Sequence, residues 1–134
     1  MTDKQKQYQQ IKYSTNIYFN LIQRYQSRIN SYFQEQKYTA EDLLGCNQYF
    51  FKDYLEFCND TNKSLFDLEI DHVIPLNLIK DKNNEDEIRE FFHYSNCFPV
   101  TLEYNKSRKD NLDSELEKKH NKYITAFLDS QFSI

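Results

Sequence analysis

The chain has 134 residues and a formal net charge of -4, so its length fits one domain and does not comfortably fit two. The acidic balance argues against a protein that coats nucleic acid by charge alone, but it leaves room for contact at one small site. Three cysteines without CxxC spacing give neither a disulfide framework nor a zinc knuckle, and they favour a reducing compartment.

The first half of the sequence predicts helices. Apolar residues at helical spacing predict a long amphipathic helix from about residue 8 to 35. Thr39 is placed to open a short helix that ends at Gly45, and Asn47 is placed to cap the next one. The buried face of that helix is predicted to contain Phe50, Phe51, Tyr54, Leu55 and Cys58.

Two short strands are predicted in the second half. Residues 68–75 are rich in β-branched residues and end at Pro75, and residues 97–100 form a second strand whose Pro99 indicates an edge. Residues 84–94 predict a helix between them. Thr101 is placed to cap a helix through about residue 109, and Asp113 to cap the last one.

Four polar residues stand out along this strand–loop–strand–helix unit. Asp71 and His72 are neighbours, 23 residues separate His72 from Asn96, and eight separate Asn96 from Asn105. Neighbours on a regular strand point to opposite faces, so a strand end or bulge is needed for Asp71 and His72 to reach one pocket. We expect His93 to pack or cap, and His120 to be exposed on the last helix.

Three segments carry a family resemblance. The sequence reads IDHVIP at residues 70–75, FHYSNCFPV at 92–100 and EYNKSRK at 103–109. Together they resemble the HNH endonucleases of the ββα-metal, or His-Me finger, superfamily, in particular those of phages, mobile introns and large DNA viruses. The resemblance extends over roughly residues 24 to 110.

The resemblance implies an α+β fold that is mostly helical, with a ββα-metal core at residues 67–110. Residues 1–66 would be a helical N-terminal part and residues 111–134 a C-terminal helix of the same single domain. The implied activity is metal-dependent hydrolysis of DNA phosphodiester bonds, by an endonuclease or nickase, to 5′-phosphate and 3′-hydroxyl ends.

The same resemblance assigns roles to individual residues. His72 corresponds to the general base, and its ordinary pKa near 6.5 suits that task. Asn96 corresponds to the residue that holds the loop and orients the histidine. Asp71 and Asn105 correspond to the ligands of one divalent ion, Mg²⁺ with Mn²⁺ as the alternative, because hard cations prefer oxygen. No cysteine pair is present for a structural zinc.

DNA is therefore the expected partner, and the basic run after Asn105 is expected to contact its phosphates through Lys106, Arg108 and Lys109. The acidic residues concentrate at 46–94, away from this run.

Two alternatives remain open. One is an HNH-derived binding or structural subunit without activity, which docks on a protein partner through the N-terminal helix. The other is a toxin nuclease with an immunity partner. No membrane partner is expected. The composition indicates an AT-rich genome, so the expected location is the cytoplasm, nucleus or an organelle of such a host, or of a host infected by such a virus.

Overall fold

The computed structural model describes residues 1–132. In that range the fold is α+β and mostly helical, as predicted, with seven α-helices and two strands. In chain order these elements are α1 (Asp3–Thr15), α2 (Ile17–Phe33), α3 (Ala40–Leu44), α4 (Gln48–Cys58), β1 (Glu69–His72), α5 (Glu85–Phe92), β2 (Cys97–Val100), α6 (Leu102–Arg108) and α7 (Ser114–Phe132). No helix within residues 1–132 is long and apolar enough to cross a membrane.

The long N-terminal helix predicted from the hydrophobic pattern is interrupted at Asn16. This residue ends α1 and caps α2, because its side-chain oxygen accepts a hydrogen bond from Phe19 N at 3.1 Å. Asparagine favours such caps over helix interiors since its side chain competes for backbone groups. The prediction of one helix over residues 8–35 was therefore wrong, and α1 buries none of its side chains.

Several helix boundaries follow their predicted caps. Gly45 takes φ 72°, the left-handed conformation expected at the end of α3. Asn47 accepts from Phe50 N at 2.9 Å, and Thr101 accepts from Tyr104 N at 3.1 Å. Asp113 likewise accepts from the backbone at the start of α7, so these sequence predictions are confirmed.

The two strands pair antiparallel, with His72 opposite Cys97 and Glu69 opposite Val100. The strand predicted over residues 68–75 is shorter than expected, since β1 ends at His72. Beyond it Val73 N donates to Asn96 O at 2.8 Å, and the chain turns towards Pro75. Strand β2 has the predicted bounds.

Aromatic side chains from four helices and from β2 meet in the core. The largest buried rings are Tyr25, Phe51, Tyr54, Phe92, Phe98 and Phe127. Tyr54 packs edge-on against Phe127, with ring centroids 5.3 Å apart, and donates to Cys97 O at 2.7 Å. Helices α2, α4 and α7 are thereby held around the two strands, and the end of β1 is fixed against them.

Candidate functional site

Asp71 and His72 lie at the end of β1 and line the same cleft, which has a volume of about 360 Å³. Both are buried, with 5% and 1% of their surface exposed. The side chains of consecutive strand residues normally alternate between faces. Here β1 ends at His72, and this is the strand-end arrangement that the sequence required for both residues to reach one site.

Each carboxylate oxygen of Asp71 accepts a hydrogen bond. Its Oδ1 accepts from His72 N at 3.0 Å, and its Oδ2 lies 2.7 Å from Arg108 Nη1. The same guanidinium donates to Val73 O at 2.6 Å and to Asn111 O at 2.7 Å. Burial raises the pKa of Asp71 above its ordinary value, and the charge of Arg108 opposes that rise.

His72 makes one side-chain hydrogen bond. Its Nε2 lies 2.8 Å from the hydroxyl of Tyr25, whereas Nδ1 is buried and has no partner within residues 1–132. Burial lowers the pKa of His72 well below its ordinary value, and the charges of Arg28 and Arg108 lower it further. The ordinary pKa near 6.5 that the sequence predicts for His72 does not apply in this environment. The imidazole is neutral at neutral pH.

Asn96 holds the loop that follows β1, as predicted. Its Oδ1 accepts from Ile74 N at 2.9 Å, and its Nδ2 donates to Ile74 O at 3.0 Å and Phe91 O at 2.9 Å. These three bonds use most of the hydrogen-bonding capacity of a primary amide. In the described chain the side-chain partner of His72 is Tyr25 rather than Asn96.

Asn105 lies on α6, which packs against β1. The side chain is half-buried, and the backbone carbonyl accepts from Lys109 N at 3.0 Å. Asn105 is not among the described residues that line the cleft with Asp71. The two predicted metal ligands thus belong to neighbouring elements, but only one of them forms the cleft wall.

The three basic residues predicted to contact phosphates differ in their exposure. Arg108 is buried against Asp71, so its guanidinium is not a free surface group. Lys106 and Lys109 are exposed, and Lys109 lines the cleft. Lys109 also has φ 57° and ψ -130°, a conformation that is strained for a residue with a side chain.

The site prediction omitted two residues of α2. Arg28 lines the cleft and donates to Ile70 O at 2.8 Å. Tyr25 is not among the described residues that line the cleft, but its hydroxyl lies 2.8 Å from His72 Nε2. More than 40 residues separate Tyr25 and Arg28 from β1, so no local motif connects the two segments. The resemblance over residues 24 to 110 includes both residues but gives neither a role, and the apolar stripe that includes Tyr25 predicts core packing rather than a site.

The chemistry of the donor set fits a hard divalent cation. Asp71 presents a carboxylate to the cleft, and each of its oxygens retains a lone pair beyond the bond it already makes. Mg²⁺ is commonly held by one or two protein carboxylates while it keeps several waters, so Asp71 is a ligand of the right kind, whereas Asn105 is not among the described residues that line this cleft. Arg108 competes for the carboxylate. No group of three or more His, Cys, Asp or Glu side chains suited to a metal occurs within residues 1–132.

Two proteins of Acanthamoeba polyphaga mimivirus are similar to this chain. Uncharacterized protein L246 is 37% identical over 95 residues, which cover 67% of this chain and 41% of the viral protein. Uncharacterized protein L426 is 28% identical over 122 residues, which cover 87% of this chain and 53% of the viral protein. The chain thus spans about half the length of the curated relatives it matches. No family model and no solved structure matches it.

Proposed function

We propose that the chain is a metal-dependent HNH endonuclease or nickase that hydrolyses DNA phosphodiester bonds, with β1, β2 and α6 as its ββα-metal finger. The observation that carries the proposal is the unpartnered Nδ1 of His72, a neutral imidazole that lines a cleft with a carboxylate and cationic side chains. Buried polar atoms without a partner are rare in folded proteins, and functional sites are one place where they are retained.

In this proposal His72 Nδ1 takes a proton from a water molecule. The resulting hydroxide attacks phosphorus, the bond from phosphorus to O3′ breaks, and the departing oxygen takes a proton from solvent. The products carry a 5′-phosphate and a 3′-hydroxyl. Because His72 is only 1% exposed, water reaches Nδ1 when the cleft wall moves, and contact with DNA is the expected cause of that movement.

The other residues hold the substrate. Arg28 and Lys109 line the cleft, and Lys106 is exposed on the helix that ends beside it, so all three are proposed to contact phosphates. When bound, Mg²⁺ or Mn²⁺ supplies electrostatic stabilisation of negative charge, and Asp71 and Asn105 are the residues that would hold it. With a net charge of -4 and three proposed phosphate contacts, the DNA affinity should be weak and should decrease as salt is raised.

A plasmid assay tests this function. Supercoiled DNA incubated with the protein and Mg²⁺ or Mn²⁺ should become relaxed or linear, and EDTA should abolish the change. His72→Ala should lower the cleavage rate by at least about a hundredfold, the lower limit of the usual contribution of general-base catalysis. His93→Ala is the matched control, because His93 lies outside this cleft. A wild-type protein that leaves the plasmid intact over a broad range of metal and salt contradicts the proposal.

A second candidate function rests on a separate observation. Helix α1 buries no side chain, and it exposes Tyr8 and Ile11 by 61% and 62%. An exposed helix that carries apolar side chains without burying them favours the alternative of an inactive HNH-derived subunit that docks on a protein partner. A deletion of residues 1–15 distinguishes the two, since a nuclease should keep its cleavage rate, whereas a docking subunit should lose its partner.

A further inference from the structure

We infer that Tyr25 is a positioning residue that fixes the tautomer of His72, so that Nε2 carries the hydrogen and Nδ1 keeps a free lone pair. This inference deepens the proposed function, and the catalytic role of Nδ1 rests on that function. The tautomer of His72 is inferred from the geometry alone. The inference depends on two contacts of the Tyr25 hydroxyl, which lies 2.8 Å from His72 Nε2 and 2.7 Å from Phe92 O.

The direction of each hydrogen bond follows from the chemistry of the partners. Phe92 O is a carbonyl oxygen and can only accept, so the single hydroxyl hydrogen of Tyr25 points to it. The hydroxyl oxygen then faces His72 Nε2 with a lone pair, and Nε2 must donate. The thiol of Cys97, 3.6 Å from the same oxygen, also approaches as a donor and agrees with this assignment.

The alternative tautomer is penalised twice, once at Nδ1 and once at either Nε2 or Phe92 O. A hydrogen on Nδ1 would be a buried donor without a partner, since Nδ1 contacts no hydrogen-bonding group within residues 1–132. A lone pair on Nε2 would face the lone pairs of the Tyr25 oxygen unless the hydroxyl turned away from Phe92. That turn would leave Phe92 O, one of the terminal carbonyls of α5, without a donor. The Nε2–H tautomer leaves only one acceptor unpaired.

The surrounding rings keep the Tyr25 hydroxyl in place. Tyr25 is 1% exposed, and its ring packs edge-on against Phe51 and Phe92 at centroid distances of 5.7 and 6.2 Å. Burial raises the pKa of Tyr25 well above its ordinary value, so the hydroxyl keeps its hydrogen. The Tyr25 oxygen also accepts from Nε2 after Nδ1 has gained a proton, so the bond persists in both states of a general base.

Histidine nitrogen NMR of the full-length protein tests the assignment. Long-range ¹H–¹⁵N correlations at neutral pH distinguish a protonated Nε2 from a protonated Nδ1, and His72→Gln identifies the His72 signals by their loss. The expected wild-type result is one tautomer, with Nε2 protonated. A wild-type His72 protonated at Nδ1, or a mixture of both forms, overturns the inference, and this measurement does not require any variant at Tyr25 to fold.

The Tyr25→Phe variant tests the positioning role. It should convert His72 to a mixture of tautomers and lower the cleavage rate by about tenfold to a hundredfold, the range seen when a partner that orients a functional histidine is removed. Tyr54→Phe is the matched control, because Tyr54 is equally buried and donates to Cys97 O but does not contact His72. Tyr54→Phe should keep the wild-type tautomer of His72 and should lower the cleavage rate less than Tyr25→Phe does.

The two readouts separate this inference from the nuclease proposal. If wild type shows the Nε2–H tautomer and Tyr25→Phe loses it while neither protein cleaves DNA, Tyr25 still positions His72 and only the nuclease proposal fails. If Tyr25→Phe keeps the wild-type tautomer, Tyr25 does not fix it and the inference fails.

Discussion

Arg108 and Asp71 form a buried ion pair, with Nη1 of the arginine 2.7 Å from Oδ2 of the aspartate and side-chain exposures of 3% and 7%. Their partners join three parts of the site, because Arg108 also donates to Val73 O after β1 and to Asn111 O after α6. The pair therefore fastens the helix α6 to the end of β1, where His72 lies. It also occupies the carboxylate proposed to hold a metal.

We predict that Arg108→Met destabilises the fold by about 3–5 kcal/mol, since it leaves a buried carboxylate without its partner. Urea unfolding followed by circular dichroism measures the loss. Adding Asp71→Leu to Arg108→Met should recover part of it, because both buried charges are then gone. Arg89→Met is the control, because Arg89 pairs with Asp42 and Glu85 at the exposed surface, and its loss should change the free energy of unfolding little. Equal losses for Arg108→Met and Arg89→Met contradict this account.

We predict that Mn²⁺ binds the wild-type protein and that Asp71→Asn weakens its binding by at least tenfold. The amide keeps the shape of the carboxylate but loses the charge that a hard cation favours. Isothermal titration calorimetry without DNA gives this readout independently of cleavage. Asp86→Asn removes an exposed acidic group outside the cleft and should leave Mn²⁺ affinity unchanged. Identical Mn²⁺ affinities of wild type and Asp71→Asn would exclude Asp71 as a ligand.

The sequence predicted those features that depend on residues close in the chain. Asn47, Thr101 and Asp113 cap helices as expected because a cap needs only a side chain and the next turn of backbone. The helix break at Asn16 was missed, since Ile11 before it falls at helical spacing from Tyr18 after it.

Features set by long-range packing were not predicted. His120 was expected to be exposed, yet it is 9% exposed and its Nε2 lies 2.5 Å from Ser95 O, because α7 folds back onto the segment before β2. Arg28 reaches the cleft and Tyr25 reaches His72 for the same kind of reason, across more than 40 residues. Cys58, a short-range prediction from the helical pattern, is buried as expected.

We predict that substitutions at Gly45 and Gln34, where two helices end with a left-handed backbone, change the stability of the fold in opposite directions. Gly45→Ala should destabilise the fold by about 1–2 kcal/mol, the cost of φ 72° for a residue with a Cβ. The new Cβ would also lie 2.9 Å from Cδ2 of His93, whose Nδ1 is held by Ser95 N. Gln34→Gly relieves φ 59° at the end of α2 and should stabilise by up to about 1 kcal/mol. Thermal and urea unfolding check both signs.

The last prediction concerns the pH dependence of stability and His120. Burial lowers the pKa of His120 in the folded state below its ordinary value of 6.5, and the bond to Ser95 O only partly opposes this. As pH falls below about 6.5 the unfolded chain binds a proton that the folded chain does not, so the free energy of unfolding decreases on acidification. Above that pH the histidine is neutral in both states and its contribution is constant.

His72 and His93 also have lowered pKa values, so the wild type should lose stability between pH 7.5 and 5.5, a window above the ordinary range of carboxyl groups. Urea midpoints across this window should fall less steeply for His120→Gln than for wild type, because one of the three titrating groups is absent. Lys122→Gln, an exposed change two residues along α7, should keep the wild-type slope. A slope for His120→Gln equal to that of wild type would show that His120 binds a proton as readily in the folded chain as in the unfolded one.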